Sequence, residues 1–535
     1  IDRILRALLR IKARISVYRE GEKLPERVNF NNIGFSATFL GLACLAPFLI
    51  SHVTISPMSI EYRPTIGLEI HAELKTATKM FCASANSAAE TSPNVNVCPV
   101  CLAHPGTLPV INKQAIRHVL RVGLALGSDL ADYTEFDRKN YFYPDLPKGY
   151  QLSQFEYPLV KGGALNGIAI TRVHLEEDTA SSIHDEKSGE TLVDYNRAGV
   201  PLMELVTEPV IHSGEEAAKF GRELQLLLRY LDASDADMEK GQMRLEANVS
   251  VSSTEILGTK VEIKNINSFR AVERAVSYEI DRQKRLLESG GRVIQETRGW
   301  DEGRQITFSQ RVKEGSADYR YFPDPDLPSL NLSEVEELKL KNLQSSLPIL
   351  PWQKRAEYSS VGLRSEDIEM YVRSPKLGAF FDAVSTRLGG DAEKIRLASN
   401  YITNDLVNLL KDSEAKEQAF STPIPISPTN FAKLIDLAFG KKISSRSAKD
   451  ILIICAKEDI DPQKIAEEKK LFQTTASLDG VVTEVIANNQ AVVADYKNGK
   501  QAALEFLVGQ AMKQLRGAAD AGALREILRK QLGVS

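Results

Sequence analysis

The residues best suited to chemistry lie on segments that alternate. Over residues 65–74, Ile66, Leu68, Ile70, Ala72 and Leu74 fall on one parity, and Thr65, Gly67, Glu69, His71 and Glu73 on the other. That is the pattern of a half-buried strand whose polar face carries carboxylates and an imidazole. Taken alone, such a face is more often solvated than functional. Two further segments shift the balance. In "ITRVHLEED" the parity of Val173 and Leu175 runs on to Glu177, and in "PLMELVTEP" Glu204 and Glu208 share parity with Leu202 and Val206. A carboxylate forced to an apolar face needs a partner or a cation, because burying it alone is costly. Several acids with one histidine form a hard oxygen set plus one nitrogen. That set suits Mg²⁺ or Mn²⁺, with substrate phosphates completing the shell. The segment "FDRKNYFYPDLPKGYQLSQ" places Arg138, Lys139 and Lys148 among aromatics and prolines. It reads equally as a phosphate-contacting loop or as a packed surface loop.

These side chains need a sheet to hold them. Residues 244–252 alternate Leu245, Ala247, Val249 and Val251 against Arg244, Glu246, Asn248 and Ser250. Residues 259–264 repeat the pattern after "STEILG", so the two segments predict an antiparallel hairpin. Helical spacing over 215–230 falls between strands without a regular strand–helix alternation. The reading is therefore an α+β fold with an antiparallel sheet. A Pro-rich stretch at 322–328 marks a boundary, beyond which the pattern turns helical: 392–411, 430–439 and 447–456. A small helical unit follows from residue 472, with pieces at 481–488, 490–497, 500–515 and 521–532.

Composition bounds the rest. With 535 residues, about 150 per domain gives roughly three to four domains. Lys and Arg number 67 against 71 Asp and Glu, a net charge of -4, so any RNA contact must come from local patches. Neither a P-loop nor a G-x-G-x-x-G turn is present, and no G-x-S-x-G elbow. Phosphate chemistry here would use side chains and metal on a sheet. The first 57 residues stand apart. They are rich in Arg and Lys up to Arg27, then largely apolar over 35–55, with Pro47 in the middle. An upstream extension is the preferred reading, because Met58 directly precedes the patterned sequence; a membrane anchor or organelle-targeting segment is the alternative.

The segments "IGLEIHAELKTATKMFC", "FDRKNYFYPDLPKGYQLSQFEYPL", "HLEEDTA", "VDYNRAGVPLMELVTEP", "GTKVEIKNINSF", "EGSADYRYFPDPDLP" and "DYKNGKQAALEFLVGQAMK" closely resemble the B subunit of the tRNA-dependent aspartyl/glutamyl-tRNA(Asn/Gln) amidotransferases. The resemblance runs from about Met58 to the C-terminus. It implies a cradle-like catalytic domain over 58–333, an all-α domain over 334–465 and a small helical tail domain over 466–535, with 1–57 outside the match. It implies a ligase. ATP phosphorylates the side-chain carboxylate of Glu-tRNA(Gln) or Asp-tRNA(Asn), and ammonia released from glutamine by an amidase partner, the A subunit, then displaces the phosphate. A small C subunit completes a heterotrimer, with no membrane role and a cytoplasmic location, or a mitochondrion or plastid if 1–57 is a transit segment.

Carried over by residue, the resemblance makes Glu69, His71, Glu177 and Glu204 the Mg²⁺ ligands. Lys139 becomes the phosphate or transition-state contact, beside Arg138, and Arg244 and Glu246 line the same polar face. Lys497, Lys500, Lys513 and Arg516 in the tail would meet tRNA. One pattern departs. Relatives with zinc show C-x-C before C-x-x-C, whereas Cys82 is followed by Ala83 and Ser84. Cys82, Cys98 and Cys101 leave a structural zinc site one ligand short, which argues against zinc. The rival reading is a non-catalytic tRNA-binding adaptor on the same fold.

Overall fold

The computed structural model describes residues 61–87, 90–185, 188–312, 319–411, 424–472, 478–515 and 521–533. The expectations for residues 1–57 and Arg516 lie outside them. The chain divides into two compact units. Among the described residues, one comprises 61–70 with Val206–Gly221 and 244–312; the other comprises His71–Leu205, Arg222–Met243 and those from Tyr319 onward. The architecture is α+β, with the named strands all lying before Leu332 and helices following.

In the first unit the strands run in the order Ile306–Val312, Glu296–Asp301, Val261–Lys264, Met243–Ser252 and Arg63–Glu73. Alternation buries Ile66, Leu68 and Ile70 from one strand and Leu245, Ala247 and Val249 from another. The expected hairpin is present, with Ala247 opposite Ile263 in an antiparallel pair. The expectation of a wholly antiparallel sheet needs correcting, because Val261–Lys264 and Glu296–Asp301 pair in parallel. A parallel pair cannot close with a tight turn, and the helix Phe269–Glu288 supplies the crossover. Ser268 caps that helix by accepting from the Ala271 N–H, and Ala271, Val272, Ala275 and Val276 bury its inner stripe.

In the second unit the strands run in the order Pro201–Thr207, Ile168–Glu177, Val160–Lys161 and Asp129–Leu130, with His71 and Glu73 on the strand beside Pro201–Thr207. A separate three-stranded sheet orders Phe322–Pro323, Asp137–Asn140 and Tyr150–Ser153. The helix Lys113–Ala125, capped by the Asn112 side chain, packs Val119, Leu120 and Val122 inward. The later helices bury one core around Tyr371, Phe381, Phe431 and Ile435, and the tail a second around Val482, Leu504, Leu507 and Leu528. The helix expected over 392–411 is interrupted. Ala392–Asn400 gives way to a wide turn at Tyr401–Leu406 before Val407–Lys411. There the Thr403 hydroxyl donates to the Ser399 carbonyl and the Asn404 amide to the Asn400 carbonyl, drawing off backbone acceptors. Among the described residues, no helix is long and apolar enough to cross a membrane.

Candidate functional site

Adjacent strands of the second unit bring four groups together. In Ile168–Glu177 the residues His174 and Glu176 share one parity, and Glu204 projects from the neighbouring strand Pro201–Thr207. All three are buried. The Glu204 carboxylate lies 3.3 Å from His174 Nε2 and 3.3 Å from His71 Nε2, and Glu176 lies 3.6 Å from His71 Nε2. Ligand atoms of His174, Glu176 and Glu204 all fall within 4.8 Å of one another. Two buried carboxylates this close repel unless cations attend them.

The protein's own cations do so. Burial opposes a charged imidazole at His174, yet Glu204 and Glu176 outweigh it and push its pKa up to about 9. Burial likewise opposes ionisation of Glu204, but His174 and His71 hold it well below the usual carboxylate range. Glu176 is lowered against the same burial by Lys139 and His174. Lys139 projects from Asp137–Asn140; burial works against its charge, and Glu176, Tyr321 and Glu204 more than restore it. Its ammonium lies 5.2 Å from the Tyr319 ring centroid and 5.9 Å from that of Tyr141. The cluster is thus charge-balanced, and its oxygens and imidazoles are of the kind a divalent cation takes.

Glu177 is not in it. Its carboxylate points from the opposite face of the strand, 2.5 Å from Lys148 Nζ, and accepts the Leu152 N–H at 2.9 Å. Apolar parity correctly marks Glu177 as a buried acid in need of a partner, but that partner is Lys148. Glu176 and His174, which parity places on the polar side, occupy the position expected of Glu177. A sequence signal for them exists: polar parity on a strand buried on both faces still means burial.

Glu69 shares a strand face with His71, two residues on. In its own unit its carboxylate lies with those of Glu246 and Glu262, ligand atoms all within 4.8 Å. Lys264 Nζ is 2.8 Å from Glu246 and 3.7 Å from Glu262. Arg244 and Glu246 share the polar parity of Met243–Ser252, as alternation requires. Arg138 is placed differently from a free phosphate contact. It binds Asp324 at 2.6 Å and Asp326 at 3.2 Å, and its guanidinium lies 4.4 Å over the Tyr150 ring.

The three cysteines do converge, their sulfurs within 4.8 Å of one another. Ser84 Oγ is 3.9 Å from Cys101 Sγ, and the fully buried Lys79 ammonium is 3.7 Å from it. A hydrogen bond from Cys82 is the chief reason the Cys101 thiol is lowered to about 4. Three sulfurs and a hydroxyl could hold a thiophilic ion, still one sulfur short of a four-thiolate site.

Residues 64–337 match the GatB/GatE catalytic domain family, and residues 380–532 match the GatB domain. The chain is 44% identical to the aspartyl/glutamyl-tRNA(Asn/Gln) amidotransferase B subunit of Moorella thermoacetica over 489 residues, 88% of this chain and 100% of that protein. It is 41% identical to the corresponding B subunit of Crocosphaera subtropica over 504 residues, 90% of this chain and 99% of that protein. This chain belongs to the GatB family of amidotransferase subunits. Within the first match lie His71, Lys139, His174, Glu176 and Glu204, so the charge-balanced cluster belongs to the region the family calls catalytic. Within the second lie Lys497, Lys500 and Lys513, all exposed, Lys497 and Lys513 on tail helices and Lys500 just before one, paired to Asp495 at 2.9 Å.

Proposed function

We propose that this chain carries the carboxylate-activating step of tRNA-dependent amidation. A Glu or Asp side chain esterified to tRNA(Gln) or tRNA(Asn) takes the γ-phosphoryl group of ATP, giving an acyl phosphate and ADP. Ammonia, released from glutamine by the amidase partner, then attacks the acyl carbon. Phosphate leaves, and the amide remains on the tRNA. A carboxylate is a poor electrophile until its oxygen becomes a leaving group, which is why ATP is needed. The observation that carries the reading is the buried set His174, Glu176 and Glu204, with half-buried His71, facing Lys139.

A bound Mg²⁺ or Mn²⁺ would neutralise phosphate oxygens and orient the γ-phosphoryl group. His71, Glu176 and Glu204 would hold it, and the donor atoms fit a hard divalent ion. His174 keeps Glu204 and Glu176 turned toward His71, since it contacts both carboxylates. Lys139 supplies fixed positive charge where the transferring phosphoryl group gains negative charge. Zinc, if taken up, would sit at Cys82, Cys98 and Cys101 with the Ser84 hydroxyl. Co-expression with the amidase partner and the small C subunit should yield a heterotrimer that cleaves ATP only when misacylated tRNA is present. ATP cleavage that ignores tRNA, or none at all, would remove the kinase reading and leave an adaptor.

The tail is assigned to tRNA on its charge. Lys497 and Lys513 are exposed and stand in a domain with its own small core. Ending the chain before Phe472 should weaken tRNA binding, and losing about three phosphate contacts should lower the log–log salt slope by roughly 2–3 units. Unchanged affinity and slope in a filter-binding titration would dismiss the tail as a tRNA contact.

A further inference from the structure

The small sheet beside the carboxylates ends in an aromatic side chain that packing does not explain. Ser153 Oγ donates to Glu176 at 3.1 Å. Two residues later the Phe155 N–H donates to the Asp137 carboxylate at 2.8 Å, which anchors the backbone, yet the residue is 60% exposed. One face of the Phe155 ring is taken by Tyr321, with centroids 4.5 Å apart and planes 12° from parallel. Tyr321 meets Tyr319 edge-on at 6.0 Å, and Tyr319 lies under the Lys139 ammonium at 5.2 Å. A row of rings therefore runs from the phosphoryl-stabilising lysine to a solvent-facing phenyl group.

We propose that the outer face of Phe155 stacks the 3′-terminal adenine of the aminoacylated tRNA, an inference that rests on the function proposed above. Any nucleobase offers a π-face that an aromatic side chain can stack, and a ring already held parallel to Tyr321 is preorganised to continue the pile. The choice of base follows from connectivity. The reacting carboxylate and the terminal adenine belong to one nucleoside ester, so placing the first at Glu176 and Lys139 fixes the second within the span of an acyl chain, an ester and a ribose. Phe155 stands two residues past Ser153, the end of the strand and its Glu176 contact, at most about 7 Å of chain away. The adenine of ATP hangs on a flexible triphosphate and carries no such constraint.

In the assembled complex, Phe155→Ala should raise KM for aminoacyl-tRNA in ATP cleavage by about 5- to 100-fold, the range for losing one base–aromatic stack. KM for ATP should stay unchanged, and Phe155→Tyr should restore the wild-type value. A tRNA lacking its 3′-terminal base should lose the same factor with wild-type protein and nothing further with Phe155→Ala. Equal KM values for aminoacyl-tRNA in wild type and Phe155→Ala overturn the proposal. So does a rise confined to ATP, which would seat the cofactor's adenine there instead. If Phe155→Ala fails to assemble, Phe155→Leu keeps the apolar volume without the ring, and the same KM comparison decides. Wild-type protein that cleaves no ATP with tRNA refutes the kinase reading alone; equilibrium binding of intact and base-less aminoacyl-tRNA to wild type and Phe155→Ala then decides the stack.

Discussion

Glu204→Gln should abolish divalent-cation binding and lower tRNA-dependent ATP cleavage by about 10² or more, the loss expected when a metal ligand stabilising the transition state is removed. The reason is geometric. One Glu204 carboxylate meets both His71 and His174, so it is the hub of the cluster. Glu177→Gln is the control. Its carboxylate serves Lys148 and the Leu152 N–H on the other face of its strand, so Mn²⁺ affinity should stay at the wild-type value. Mn²⁺ titrations followed by electron paramagnetic resonance separate the two variants, and equal loss of affinity in both would return Glu177 to the ligand set. The pH dependence has a definite sign. Without metal, Glu204 and Glu176 push the His174 pKa up to about 9, and a divalent ion on those two carboxylates would weaken their hold on its proton. Metal affinity should therefore climb as pH rises and level off near that value.

Lys139→Met should cost phosphoryl transfer roughly 10²–10³-fold, the scale for removing one preorganised group aimed at developing charge. Methionine keeps an unbranched apolar stem beside Tyr319 and Tyr141 while deleting the ammonium. Binding of tRNA and assembly with partner subunits should persist, because the half-buried lysine's charge is held by Glu176 and Glu204. Single-turnover formation of ADP with misacylated tRNA measures the step directly. A loss that appears only in tRNA affinity would reassign Lys139 to substrate binding.

The family and the class of fold could be read from the chain itself. Long motifs around Glu69, Lys139 and Glu204 carry the resemblance, and alternation over 65–74 and 244–252 gives strands where strands stand, because a period of two leaves no choice of face. Helical spacing and stop signals likewise locate the tail helices to within a few residues. Pairing is another matter. The parallel match of Val261–Lys264 with Glu296–Asp301 depends on where the helix Phe269–Glu288 returns the chain, and that is a long-range fact. The site shows the same division. His71 and Glu204 are legible, one by face and one by misplaced charge. Whether Glu176 or Glu177 joins them depends on what covers each face of Ile168–Glu177. Alternation says only that the two acids point in opposite directions. The small sheet that brings Lys148 to one of them and Lys139 to the other is assembled by contacts between segments far apart in sequence, and that packing sets which lysine each acid meets.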